Sequence, residues 1–171
     1  MNTAIFQYFH SFAGQSIFLD NLIIFCAKYL PYLMVAALSL FLVLSRDRRQ
    51  ELKMILYAVA SAVLARLVIT EIIRYFYYSP RPFMVFDFTP LLYDFAGSFP
   101  SGHAAFFFAL ATIIFLFHKK WGIAYFTGTF IICISRIMAG VHWPSDILGG
   151  MIVGIGSALL LIIIVRHKTK F

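Results

Sequence analysis

The chain has 171 residues, of which 62% are hydrophobic and only 12% charged, with a net charge of +7. This length fits one domain, and the composition excludes an ordinary soluble protein, in which about a quarter of residues are charged. The basic excess sits in short segments between apolar runs, so it reads as a membrane-topology signal, not a nucleic-acid face, and no nucleic-acid partner is expected.

In residues 1–15, Ile5, Phe6, Tyr8, Phe9 and Phe12 alternate with Asn2, Gln7, His10 and Ser11. A crossing needs ~20 apolar residues, so this segment predicts an amphipathic helix lying in the interface, ended by Gly14, with His10 exposed. No basic region precedes it, and no cleavable signal peptide is expected. The first span is predicted over about 20–44 and contains Lys28, which is costly in hydrocarbon unless paired or near the surface. The cluster Arg46-Asp47-Arg48-Arg49 follows, then Lys53. The second span, about 53–78, carries Arg66, Glu71 and Arg74, so its last third cannot face lipid throughout. A loop over 79–99 is broken by Pro80, Pro82, Pro90 and Gly97 and is rich in Phe and Tyr, as at a headgroup boundary.

A third span is predicted over about 101–117, and His118, Lys119 and Lys120 make a basic turn. The fourth covers about 121–139 and the fifth about 144–165, before Arg166, His167, Lys168 and Lys170. Gly149, Gly150, Gly154, Gly156 and Ser157 mark one close helix contact. Cys26 and Cys133 lie in separate apolar runs and are expected to be free, buried thiols. The expected fold is all-α: a polytopic membrane bundle of five transmembrane helices plus the interfacial helix, one domain over 1–171. A sixth span would require residues 1–15 to cross, and they are too few. With five spans, the 46–53 segment, the 118–120 turn and the C-terminal tail share a side, cytoplasmic by the positive-inside rule. The N-terminus, the 79–99 loop and the 140–143 turn then lie outside.

Chemistry-bearing residues gather at the outer span ends. Ser135-Arg136 is followed, after five residues, by His142 and, after three more, by Asp146. Residues four apart share a helix face, and Pro144 between them suits a first helical turn. Asp146 can accept a hydrogen bond from one ring nitrogen of His142, leaving the other deprotonated and aimed, as a nucleophile or base requires. Arg136 is a fixed anion clamp. The plainer reading is a helix start with a capping Asp and an interfacial His. Two further stretches are Arg74, six residues, Arg81-Pro82, and Pro100-Ser101-Gly102-His103. Three arginines without nearby acids would repel one another, so an anion is their natural occupant. Ser101 suits an N-cap that sets the amides of Gly102, His103 and Ala104 at a positive helix end, and Gly102 lets backbone approach a ligand. The residues point to a phosphate site. Headgroup anchoring explains one or two arginines, but not two histidines and an Asp beside them.

In order and internal spacing these stretches resemble the three signature motifs of the type 2 phosphatidic acid phosphatase superfamily, with Arg74 where Lys is commoner. The resemblance implies a helical core of the phosphatase/haloperoxidase type. It also implies that His142 attacks phosphorus to form a phosphohistidine, that Asp146 orients it, and that His103 protonates the leaving oxygen. Arg74, Arg81, Arg136, Ser101 and Gly102 would hold the phosphoryl oxygens, with no metal and no other cofactor. The compact size, short N-terminal helix and Leu19-Asp20 entry are similar to bacitracin-resistance-type undecaprenyl-diphosphatases, the small branch that recycles the bacterial cell-wall lipid carrier at the outer face of the plasma membrane. That branch often has Asp where Gly102 stands. The expected partners are therefore the bilayer and a lipid phosphate; phosphatidylglycerol phosphate and phosphatidic acid are the other substrates in view. A lipid or ion transporter is the alternative from another class, raised by Lys28, Arg66 and Glu71 within spans, although no paired repeats or broken midplane helices are visible.

Lys28 and Glu71 fall at matching depth in consecutive antiparallel spans, and Glu71 precedes Arg74 by three residues. They are expected to form a polar cluster with Arg74 beneath the phosphate site. The alternatives are that Lys28 snorkels outward while Glu71 pairs only with Arg74, or that Lys28 reaches the distal phosphate of a diphosphate.

Overall fold

The apolar runs fold as helices, and among the described residues every regular element is helical. The computed structural model describes residues 2–44 and 47–168; Arg46 and Lys170, two of the charges behind the topology expectation, lie outside the described residues.

Helix α1 (Asn2–His10) does not lie apart from the bundle. Phe6 is 1% exposed and packs against Phe88 and Trp143, and the Asn2 amide donates to the Ser145 hydroxyl at 3.0 Å. His10 is half-buried rather than exposed: it stacks on Phe6, and its Nδ1 lies 2.9 Å from the Met138 carbonyl. Phe6 and His10 are four apart, so the face that buries one carries the other with it.

The first long stretch is α2 (Ile17–Ile24), a π turn (Phe25–Tyr29) and α3 (Leu30–Leu44). Its start is fixed by Ser16, whose Oγ accepts from the Leu19 amide, and by Asp20, whose carboxylate accepts from the Gly14 amide at 2.8 Å. The second is α4 (Arg48–Val63), capped by Asp47, then a π segment (Leu64–Ile69) and α5 (Thr70–Phe76). Each π segment bonds i to i+5 and so turns the next stretch of helix off the ordinary helical face. The connecting loop holds a short α6 (Pro82–Phe86), started by Pro82.

Helices α7 (Gly102–Phe117), α8 (Lys119–Met138) and α9 (Pro144–Lys168) complete the described chain. Among the described residues, four stretches are long and apolar enough to cross a membrane: Ile17–Leu40, Arg48–Phe76, Lys119–Met138 and Pro144–Val165. With 16 residues, α7 is shorter. At 1.5 Å per residue it reaches about 24 Å, against a hydrocarbon core of about 30 Å. It is the central helix, packed by α4, α8 and α9, with Ala104 to Ala105 and Phe107 to Ile114 all buried. A helix apolar all round belongs inside.

Small residues let α9 press on α7. A Cβ on Gly150 would stand 2.5 Å from the Ser101 carbonyl, and one on Gly154 2.4 Å from the Ala105 carbonyl. Gly149 faces the Phe99 ring, but Gly156 has nothing within 4 Å and is not part of the contact expected of it. This contact fixes the start of α7 to the start of α9. At the other end, Glu51 of α4 meets His118 after α7 at 2.9 Å, so the chain turns around 47 and 118 share one end of the bundle. Both cysteines are free; Cys133 is buried and Cys26 only half-buried.

Candidate active site

His142 sits in the reversal between α8 and α9. Gly140 makes that reversal with a φ of +82°, a region that suits glycine, and a Cβ there would strike the Phe88 ring. His142 is 1% exposed, and its Nδ1 lies 3.4 Å from Asp146 Oδ2. The same oxygen accepts from the Trp143 amide at 2.8 Å and from the Ser98 hydroxyl. Asp146 is thereby fixed before it touches the imidazole. The Nδ1 contact is longer than an ordinary hydrogen bond, a common state of catalytic pairs without substrate. With Nδ1 turned to Asp146, Nε2 is the nitrogen left for chemistry.

Burial pushes the His142 pKa well below its ordinary value, and Arg136 and Arg81 add to the effect. Burial thus favours the neutral imidazole, the form that can act as a nucleophile or base. In the unfolded chain it would protonate near pH ~6.5, so its contribution to stability is present above that pH and declines below it. The expected result is that the ¹⁵N shifts of the His142 ring stay those of a neutral imidazole as pH falls through ~6.5. A ring that titrates there would contradict the buried, arginine-flanked placement.

The three motif arginines converge but are not equivalent. Arg136 ends α8 at 5% exposure, with Nη2 3.3 Å from Asp94 and Nη1 3.5 Å from the Ala27 carbonyl. Arg74 in α5 donates from Nη2 to the Pro100 carbonyl at 3.0 Å. The Nε atoms of both are buried without a hydrogen-bond partner among the described residues. Such donors are rare, and each left unmade costs about 1–3 kcal/mol. Each is a donor that an anion at this site would satisfy.

Arg81, fully buried, is occupied differently. It donates to the carbonyls of Val141 at 2.6 Å, Ala96 at 2.9 Å and Gly97 at 3.5 Å, and pairs with Asp94 at 2.8 Å. Burial lowers its pKa, with Asp94 the main opposing influence. Arg81 clamps the 94–97 loop to the turn that carries His142. Ser101 caps α7 as expected, its Oγ accepting from the Ala104 amide at 3.4 Å, while its own amide donates to the Asp146 carbonyl at 2.9 Å. Gly102 follows, and His103 stands in the first turn of α7 on the wall of a cavity shared with Gly102 and Arg66.

The expected Lys28–Glu71 pair does not form. Lys28 is exposed, with its ammonium 5.3 Å from the Tyr29 ring centre. Glu71 pairs with Arg66 and, at 3.5 Å, with Arg74. The π segments explain the exchange. Lys28 lies within one, and the other closes the five-residue gap from Arg66 to Glu71 onto one face.

The PAP2 superfamily matches residues 52–170, more than half of the chain. The chain belongs to the PAP2 superfamily. It is 31% identical to the bacitracin transport permease protein BcrC of Bacillus licheniformis, over 94% of this chain and 79% of that protein. It is also 31% identical to the undecaprenyl-diphosphatase BcrC of Bacillus subtilis, over 91% of this chain and 79% of that one. A crystal structure of Aquifex aeolicus LpxE superposes with a TM-score of 0.72 at 26% identity, covering 94% of both chains. This PAP2 protein is an integral membrane lipid phosphatase, which sets aside the transporter reading of the charges within its spans.

Four residues of this PAP2 site were not singled out for it by the motifs. Asp94 bridges Arg81 and Arg136, Ser98 and the Trp143 amide hold Asp146, and Arg66 lies against Gly102. Asp94 and Ser98 belong to an irregular loop, where no periodicity tells which side chain turns inward. Arg66 was visible as a charge within a span, but its partner was five residues away instead of three or four.

Proposed function

We propose that this PAP2 phosphatase removes the terminal phosphate of a lipid diphosphate, undecaprenyl diphosphate above all, giving undecaprenyl phosphate and orthophosphate. The observation that carries the reading is the pair of buried, unpartnered Nε donors of Arg74 and Arg136 beside a neutral His142 backed by Asp146. The similarity to an undecaprenyl-diphosphatase over nearly the whole chain supports the choice of lipid.

In the first step Nε2 of His142 attacks the terminal phosphorus. A P–N bond forms, the P–O bond to the leaving phosphate breaks, and the electron pair stays on that oxygen. His103 protonates it where a proton is needed. Asp146 keeps the Nδ1 proton in place and stabilises the ring as it gains charge. Arg74, Arg136 and the amides at the start of α7 hold the equatorial oxygens, and Arg81 keeps their loop and the His142 turn in register. In the second step water, activated by His103, attacks the phosphohistidine. The P–N bond breaks and orthophosphate leaves.

The membrane arrangement supporting this reaction counts α7 as a fifth, short crossing and α1 as an interfacial helix, with residues 1–171 as one domain. The active site lies at the outer face of a bacterial plasma membrane and the C-terminus in the cytoplasm. Phosphate release from detergent-solubilised undecaprenyl diphosphate tests the reaction. The expected result is activity that persists in excess EDTA, is inhibited by vanadate, and exceeds that on phosphatidylglycerol phosphate and phosphatidic acid. Activity lost to EDTA and restored by Mg²⁺ would overturn the mechanism, and a preference for either phospholipid would overturn the choice of substrate.

A further inference from the structure

A cavity of about 240 Å³ opens beside the phosphate site. Its polar end is Arg66, Gly102 and His103; its apolar end includes Tyr32, Val35 and Phe106. Tyr32 is 70% and Val35 45% exposed on the first long stretch, so the apolar end faces the lipid side of the bundle. Arg66 belongs to none of the three motifs. Its guanidinium fills the space a side chain at 102 would take: a Cβ on Gly102 would lie 2.4 Å from Arg66 Nε. It is also tied to the phosphate site, because one oxygen of Glu71 contacts both Arg66 and Arg74. Two guanidinium groups on one carboxylate oxygen are at most two contact lengths apart, near enough for one diphosphate to touch both.

We propose that Arg66 binds the lipid-side phosphate of a diphosphate substrate, with the first carbons of the chain running into the cavity past Phe106 and Tyr32. The inference rests on the diphosphatase reading above. In the mechanism proposed above His103 protonates the leaving oxygen, so a cavity walled by His103 is on the leaving-group side. For a diphosphate that side carries a phosphate, whose charge grows as the bond breaks, and Arg66 is the cation there. For a monophosphate it carries an alcohol, and Arg66 meets no anion. Glu71, 49% exposed, pairs with Arg66 and is displaced toward solvent or kept on Arg74 when the diphosphate arrives.

The test compares farnesyl diphosphate with farnesyl monophosphate, which differ by one phosphate. R66Q should lose roughly tenfold to hundredfold more kcat/KM on the diphosphate than on the monophosphate, the effect of one charge-assisted contact. R66K, which keeps the charge but not the fork, should recover part of that selectivity. Inorganic pyrophosphate should inhibit the wild type more tightly relative to orthophosphate than it inhibits R66Q. Equal losses on both lipids, or an unchanged inhibition ratio, would overturn the assignment of Arg66. If R66Q cannot be purified folded, R66M carries the test, with the same selective loss on the diphosphate expected and equal losses on both lipids overturning the assignment. A wild type that cleaves only the monophosphate would instead overturn the diphosphatase reading itself, and the Arg66 inference with it.

Discussion

His142→Ala is expected to lower kcat by on the order of 10⁴- to 10⁶-fold, the range seen when a nucleophile acting as part of a unit is removed. Binding should change far less, because the buried, unpartnered Nε donors of Arg74 and Arg136, which the proposed mechanism assigns to the phosphate, are untouched. Folding should survive. Asp146 loses only its contact at 3.4 Å and keeps the Trp143 amide and the Ser98 hydroxyl. The cavity left by a buried imidazole and the weakened network together should cost about 1–3 kcal/mol. Rapid quench with ³²P-labelled substrate gives the direct readout. The wild type should yield an acid-labile, base-stable phosphoenzyme that is absent from His142→Ala. Near-normal turnover in the variant, or an unchanged phosphoenzyme, would sink the assignment of His142 as nucleophile.

The motif residues were legible because each motif is local. The spacing of His142 and Asp146 by four residues across Pro144 fixes a helix start and a shared face, whatever the rest of the chain does. The same holds for Ser101 before Gly102 and His103. The contacts that the sequence did not disclose depend on register and on loop paths. The π segment at Leu64–Ile69 places Arg66, not Lys28, under Glu71, and a reading at 3.6 residues per turn has no sign of that extra residue. Asp94 and Ser98 come from a loop whose path is set by the clamp of Arg81 on the carbonyls of Ala96, Gly97 and Val141. The central place of the short α7 came only from packing: α4, α8 and α9 close around it. His10 shows the limit of alternation, since a polar residue on the face of Phe6 went inward with it.

His103→Ala should divide substrates by their leaving groups. Cleavage of a lipid monophosphate expels an alkoxide, whose conjugate acid is about as weak as water, so protonation in the transition state is needed. Cleavage of a diphosphate expels a phosphate, whose conjugate acid has a pKa of about 6, and that group departs largely unaided. His103 stands in the first turn of α7, at the cavity wall with Arg66 and Gly102, and in the proposed mechanism it is the proton donor to the leaving oxygen. The phosphorylation step of His103→Ala is therefore expected to slow by roughly 10²- to 10⁴-fold on a monophosphate and by about tenfold or less on a diphosphate. The second step differs. Water must lose a proton to attack the phosphohistidine whichever lipid has left, so dephosphorylation should slow equally for both. With a diphosphate, phosphorylation then outruns dephosphorylation and His103→Ala should accumulate phosphoenzyme that the wild type turns over. Single-turnover quench with the two farnesyl substrates separates the steps. Equal slowing of phosphorylation on both substrates, with no phosphoenzyme building up from the diphosphate, would remove His103 from proton transfer and leave it a packing role at the cavity wall.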